Sequence, residues 1–181
     1  MSTTAVVIVV VLVVIVIVLA GALIARPAMR RWRLKNDFGP EYDRTVEDKG
    51  DVRSAENELT NRQRRHHETE LRPLPDEHRA RYIRGWSAVQ EEFADSPRAA
   101  VGKADQLISE VMSDRGYPKG DFDQQAADLS VEHSSVLGHY REAHAISQRP
   151  QSEPADLRAA MVHYRSLFED LVDHATPERS R

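Results

Sequence analysis

The chain has 181 residues, no cysteine and a formal charge of −4. Disulfide bonds and thiolate chemistry are excluded, and the length suits one modest domain besides any anchor. The charge is unevenly placed. Residues 26–35 hold five basic side chains and no acid, whereas residues 36–181 hold 20 basic and 29 acidic ones, a net of −9. An acidic body matches a polyanion poorly, so nucleic acid is not an expected partner.

Residues 1–4 form a short tail without a basic side chain. Residues 5–25 follow without any charge, and nine Val, four Ile and three Leu supply most of the run. A helix of that length rises about 31 Å, close to the thickness of a hydrocarbon core. A lone span in lipid must satisfy its own backbone hydrogen bonds, which selects the helix over the strand that Val and Ile favour in water. Its aliphatic side chains favour insertion by very roughly 5–10 kcal/mol. The expectation is a transmembrane helix over 5–25. A cleaved signal peptide is the alternative, because Ala20-Gly21-Ala22 resembles a cleavage box. Against it stand the long apolar core and the missing basic n-region.

A basic juxtamembrane segment is expected over 26–40. Arg26, Arg30, Arg31, Arg33 and Lys35 precede the first acid, Asp37. The positive-inside rule places that flank in the cytoplasm and the N-terminus outside. The expected location is thus the cell membrane, single-pass, with an extracytoplasmic body as the alternative. The expected partners of this segment are the lipid bilayer and anionic lipid headgroups, worth about 1 kcal/mol per basic residue near the surface. Trp32 suits the interface, and Pro27 suits a helix break at its edge.

Gly39-Pro40 reads as a turn, and residues 41–72 as a polar helical stalk. Its apolar stripe is thin, with Tyr42, Val46, Ala55 and Leu59, and Gly50 interrupts it. Pro73 and Pro75 force an extended connector. A helical bundle domain of about four helices is expected over 73–175. Its first helix presents Tyr82, Trp86, Val89 and Phe93 on one face. Asp95-Ser96-Pro97 is a cap and restart, and Val101, Ala104, Leu107, Ile108 and Val111 face inward from the next helix. Gly116 is expected to close that helix in the left-handed conformation. A loop over 117–121 precedes a short helix over 122–129. A further helix spans about 132–148, with Val136, Leu137, Tyr140, Ala143 and His144 inward. The last helix, over about 154–174, carries Leu157, Met161, Tyr164, Phe168 and Leu171 at spacings of four and three. Residues 176–181 are expected to be a disordered tail. No strand pattern competes after residue 26, so the fold class is all-α.

No catalytic constellation is legible. His66-His67 are adjacent, so on a helix they point apart, and solvated surface is their expected place. His133, His139, His144 and His163 are scattered, and no two histidines lie three or four apart. The eight glycines are dispersed and form no phosphate loop. No metal ligands and no cofactor are expected. If the body offers a partner surface, the aromatic residues Tyr82, Trp86, Phe93, Tyr117 and Phe122 are its candidates. The alternative is that they staple helices together in the core.

The segments Phe38-Gly39-Pro40-Glu41-Tyr42-Asp43-Arg44-Thr45-Val46, Leu71-Arg72-Pro73-Leu74 and Gly116-Tyr117-Pro118, with Gly120-Asp121-Phe122 and Ala127-Asp128-Leu129-Ser130, resemble a set of uncharacterised single-span membrane proteins of actinobacteria. The resemblance covers nearly the whole chain. It implies an anchor and a helical body, and it transfers no functional residue. The expected function is a membrane-anchored helical interaction or scaffold protein. The alternatives are a membrane-anchored sensor or enzyme using a pocket in the bundle, and an exported helical domain.

Overall fold

The structure, a computed structural model, describes residues 11–16 and 28–173, and every regular element among them is a helix. Residues 11–16 are helical and are the only described part of the apolar run. Among the described residues no helix is long and apolar enough to cross a membrane. The rest of the expected span, Arg26, Pro27 and the tail 176–181 lie outside the described residues. The helices are α1 (28–38), α2 (Pro40–Lys49), α3 (Val52–Glu68), α4 (Asp76–Asp95), α5 (Pro97–Arg115), α6 (Phe122–Leu129), α7 (Ser134–Ser147) and α8 (Pro154–Asp173). They divide between two compact units, residues 1–56 and residues 57–181.

In the first unit, Leu34, Phe38 and Tyr42 are buried although α1 ends between them. Gly39 breaks the helix at a φ of 50°, and Pro40 restarts it at the first helical position. The Tyr42 hydroxyl donates to Glu56 Oε1 at 3.0 Å, and Thr45 Oγ1 donates to the Glu41 carbonyl at 2.8 Å. The helical stalk expected over 41–72 breaks at Gly50, the residue expected to interrupt it, which caps α2 in the left-handed conformation.

The second unit contains more than the expected bundle. Residues 57–72 are not a spacer held away from it. Arg62 Nη1 donates to Ser130 Oγ at 3.4 Å, Leu71 packs on the core, and the Arg72 amide donates to the Arg115 carbonyl at 3.0 Å. The polar face of α3 is polar because it meets polar partners, a distinction that a helical period alone does not make.

The core of this unit forms where α7 packs on α8, α4 on α5 and α5 on α8. The expected apolar faces are the buried ones. Ala160, Leu167 and Val172 join the α8 stripe. Trp86 stacks on Phe168 with centroids 4.8 Å apart and planes inclined by 18°. Helix starts differ from expectation in their chemistry. Ser96 occupies the position before α5, but its side chain makes no capping bond. Asp121, before α6, caps with its side chain, accepting from the Gln124 amide at 2.9 Å, and Asp51, before α3, does the same with the Ser54 amide at 2.9 Å. Gly116 closes α5 at a φ of 93°, and the Tyr117 amide returns to the Met112 carbonyl at 3.0 Å. A Cβ on Gly116 would stand 2.7 Å from the Glu70 carbonyl oxygen, so this glycine also admits the strap that follows α3.

Candidate functional site

The turn after α5 and the turn before α7 bring a polar cluster into the interior of the second unit. Arg115, in the last turn of α5, and His133, just before α7, are both fully buried. Arg115 Nη1 donates to the Leu171 carbonyl at 3.0 Å, near the end of α8. Its Nη2 lies 4.0 Å from Glu132 Oε2, and its guanidinium sits 5.9 Å from the Tyr117 ring centre. Its Nε and Nη2 make no hydrogen bond among the described residues.

His133 Nδ1–H donates to Asp170 Oδ2 on α8, and Nε2 lies 3.1 Å from the Tyr117 hydroxyl. Glu132 Oε2 lies 3.4 Å from the same hydroxyl. A neutral His133 ring accepts from Tyr117. A protonated ring donates to it, and Tyr117 then donates to Glu132. Tyr117 has one proton, so its hydroxyl donates either to His133 Nε2 or to Glu132 Oε2 and not to both. Burial pushes the Tyr117 hydroxyl well above the ordinary tyrosine range, so it stays protonated.

Glu132 Oε1 is 3.4 Å from His66 Nε2. This contact, with the charges of His133 and Arg115, holds the Glu132 carboxyl below its ordinary value of 4.5 against the opposing effect of burial. A depressed carboxyl stabilises the fold above the unfolded value and loses that contribution as pH falls through the folded one. Urea midpoints followed by circular dichroism are expected to drop as pH falls below 4.5, and Glu132→Gln is expected to flatten that drop. An unchanged profile in the variant would remove Glu132 as the acid-sensitive group.

A carboxylate–imidazole–hydroxyl chain is also the arrangement of a general-base relay. Here the hydroxyl is a buried phenol, and the small cavity lined by its residue, His66, Thr69, Leu71, Pro118 and Asp128 holds about 10 Å³, room for one water. A larger groove of about 380 Å³ lies beside it, lined by Gln106, Ser109, Glu110, Ser113, Tyr117, Lys119, Gly120 and Gln125, among others. Its volume is within the small-ligand range. Glu110 and Lys119 are its charged groups.

Of the residues expected at a partner surface, Tyr117 also lines this groove and the others lie elsewhere. Tyr82, Trp86 and Tyr117 are buried, and Phe93 and Phe122 are half-buried against the core. Large apolar area goes where it is best covered. The Tyr82 hydroxyl donates to Asp114 Oδ2 at 2.7 Å, and Phe122 stacks on His144 with centroids 3.6 Å apart. His66 faces Glu132 and not open solvent, because α3 packs on the unit. In the basic segment after the apolar run, Arg30, Arg31, Trp32, Arg33 and Lys35 are exposed on α1. Arg30 Nη2 donates to the Glu56 carbonyl at 3.2 Å, and Lys35 Nζ lies 3.3 Å from Asp43.

One group that could hold a metal escaped the spacing rule for single helices. His139 and Glu142 on α7 meet His163 on α8, with ligand atoms within 4.8 Å of one another. The signal available in the sequence was His139-x-x-Glu142, one helical turn apart. The third member comes from another helix. Comparison with protein families, curated proteins and solved structures finds no match to this chain.

Proposed function

We propose that this chain is a single-span membrane protein whose helical body holds a partner protein at the cytoplasmic face. One observation carries the membrane reading. The six described residues of the apolar run, Val11 to Val16, are helical, and each is between 48% and 63% exposed. A helical stretch that is apolar on every side and this exposed suits lipid. The exposed basic side chains of α1 and Trp32, 67% exposed, suit the headgroup layer and contact with anionic lipids.

The binding reading rests on where the reactive groups are. Asp170, His133, Tyr117 and Glu132 engage one another inside the body, which favours a structural role for them over turnover. The groove beside residues 117–120 is a concave surface open to a partner segment with hydrogen-bonding side chains. Its volume also keeps a small-ligand sensor as the second reading.

Three measurements on the full chain test the proposal. Alkaline extraction is expected to leave it in the membrane pellet, and a C-terminal reporter is expected to signal from the cytoplasmic side. Crosslinking in intact membranes is expected to capture a specific partner, and Ser113→Arg in the groove to lose it. Release into the soluble fraction would overturn the anchor. Repeated recovery of the chain alone would count against the partner.

A further inference from the structure

We infer that His139, Glu142 and His163 form a binding site for a divalent transition-metal ion of the Zn²⁺, Cu²⁺ or Ni²⁺ type. The site follows from the α7–α8 hairpin. The connection over 148–153 is short, so the two helices run antiparallel. His139 and His163 stand twelve positions to either side of residue 151, and the hairpin therefore brings them level. Their rings lie face to face, with centroids 4.8 Å apart and planes inclined by 16°. Glu142 lies one turn beyond His139 on the same face, with Oε2 3.3 Å from His163 Nε2.

The donor set selects the ion. Two imidazoles and one carboxylate suit borderline divalent ions, whereas Mg²⁺ and Ca²⁺ require oxygen donors throughout. Neutral imidazoles with one carboxylate bring a single negative charge to a dication. Metal–ligand bonds of about 2.0–2.2 Å in a tetrahedron put ligand atoms about 3.4 Å apart. The Glu142–His163 pair already has that spacing. The widest separation, 4.8 Å, must close by about 1.4 Å. His139 and Glu142 are exposed and His163 is half-buried, so side-chain rotation can supply this movement. Three protein ligands leave a fourth position to water or to a donor from outside the chain. A bound ion joins α7 to α8, and as a ligand of the folded state alone it stabilises the bundle.

The test uses the full chain in detergent micelles, with Zn²⁺ titrated by calorimetry and Cu²⁺ followed by electron paramagnetic resonance. One ion per chain is expected, with nitrogen hyperfine structure from two imidazoles. His139→Ala and His163→Ala are each expected to weaken binding by about tenfold or more, with unchanged helix content by circular dichroism. His66→Ala/His67→Ala is expected to bind as the parent does. The inference is overturned if the chain shows no saturable binding up to about 100 µM ion. It is equally overturned if binding survives His163→Ala or disappears in the His66/His67 variant. None of these results depends on membrane insertion or on a partner.

Discussion

Trp86→Ala is expected to lower the stability of the helical body by about 3–5 kcal/mol. Trp86 is buried in α4, and its indole lies flat on Phe168 of α8 while α5 packs against both helices. Truncation loses the transfer energy of a large apolar ring and opens a cavity that two separate helices would have to move to fill. Trp86→Phe keeps an aromatic face for Phe168 and is expected to cost no more than about half as much. Urea denaturation of the full chain, followed by far-ultraviolet circular dichroism, measures both variants. Tryptophan fluorescence is less suitable, because Trp32 reports as well. Trp32→Ala should leave the midpoint unchanged, since that ring is exposed. If Trp86→Ala kept the midpoint within about 1 kcal/mol and lost a binding partner, Trp86 would be an interface residue after all.

Arg115→Met is expected to cost about 2–4 kcal/mol. The substitution removes a fully buried guanidinium and leaves an apolar chain of similar reach. Two groups then lose their partner. The Leu171 carbonyl, close to the last described residue of α8, loses the guanidinium that donates to it at 3.0 Å. Glu132 keeps His66 and His133 but loses the cation at 4.0 Å. Removing one member of a buried charged cluster is costly because the remainder stays desolvated. Arg115→Met/Glu132→Gln is therefore expected to lose less than the two single changes combined, a coupling that a double-mutant cycle reads directly. Additive losses would show that Arg115 acts through Leu171 and not through Glu132.

These two side chains mark the limit of local reading. The helices from α4 onward, the breaks at Gly39 and Gly50, the left-handed cap at Gly116 and the apolar faces of α4, α5, α7 and α8 were legible, because each depends on residues within one or two turns, whereas the helix over 28–38 and the end of α3 at Glu68 were not. Periodicity also offered Trp86 and Tyr82 as a face, without saying what covered it. That choice belongs to the packing of whole helices.

By itself, then, the order of residues determined an all-helical body, an apolar N-terminal run with a basic flank and the main points where the chain turns. Tertiary structure alone decided that residues 57–72 join the body, that Arg115 and His133 lie inside it, and that His139 meets His163. The physical reason is the same in each case. A polar side chain can be buried only where other elements supply its counter-charges and hydrogen bonds, and those partners stand tens of residues away in the chain.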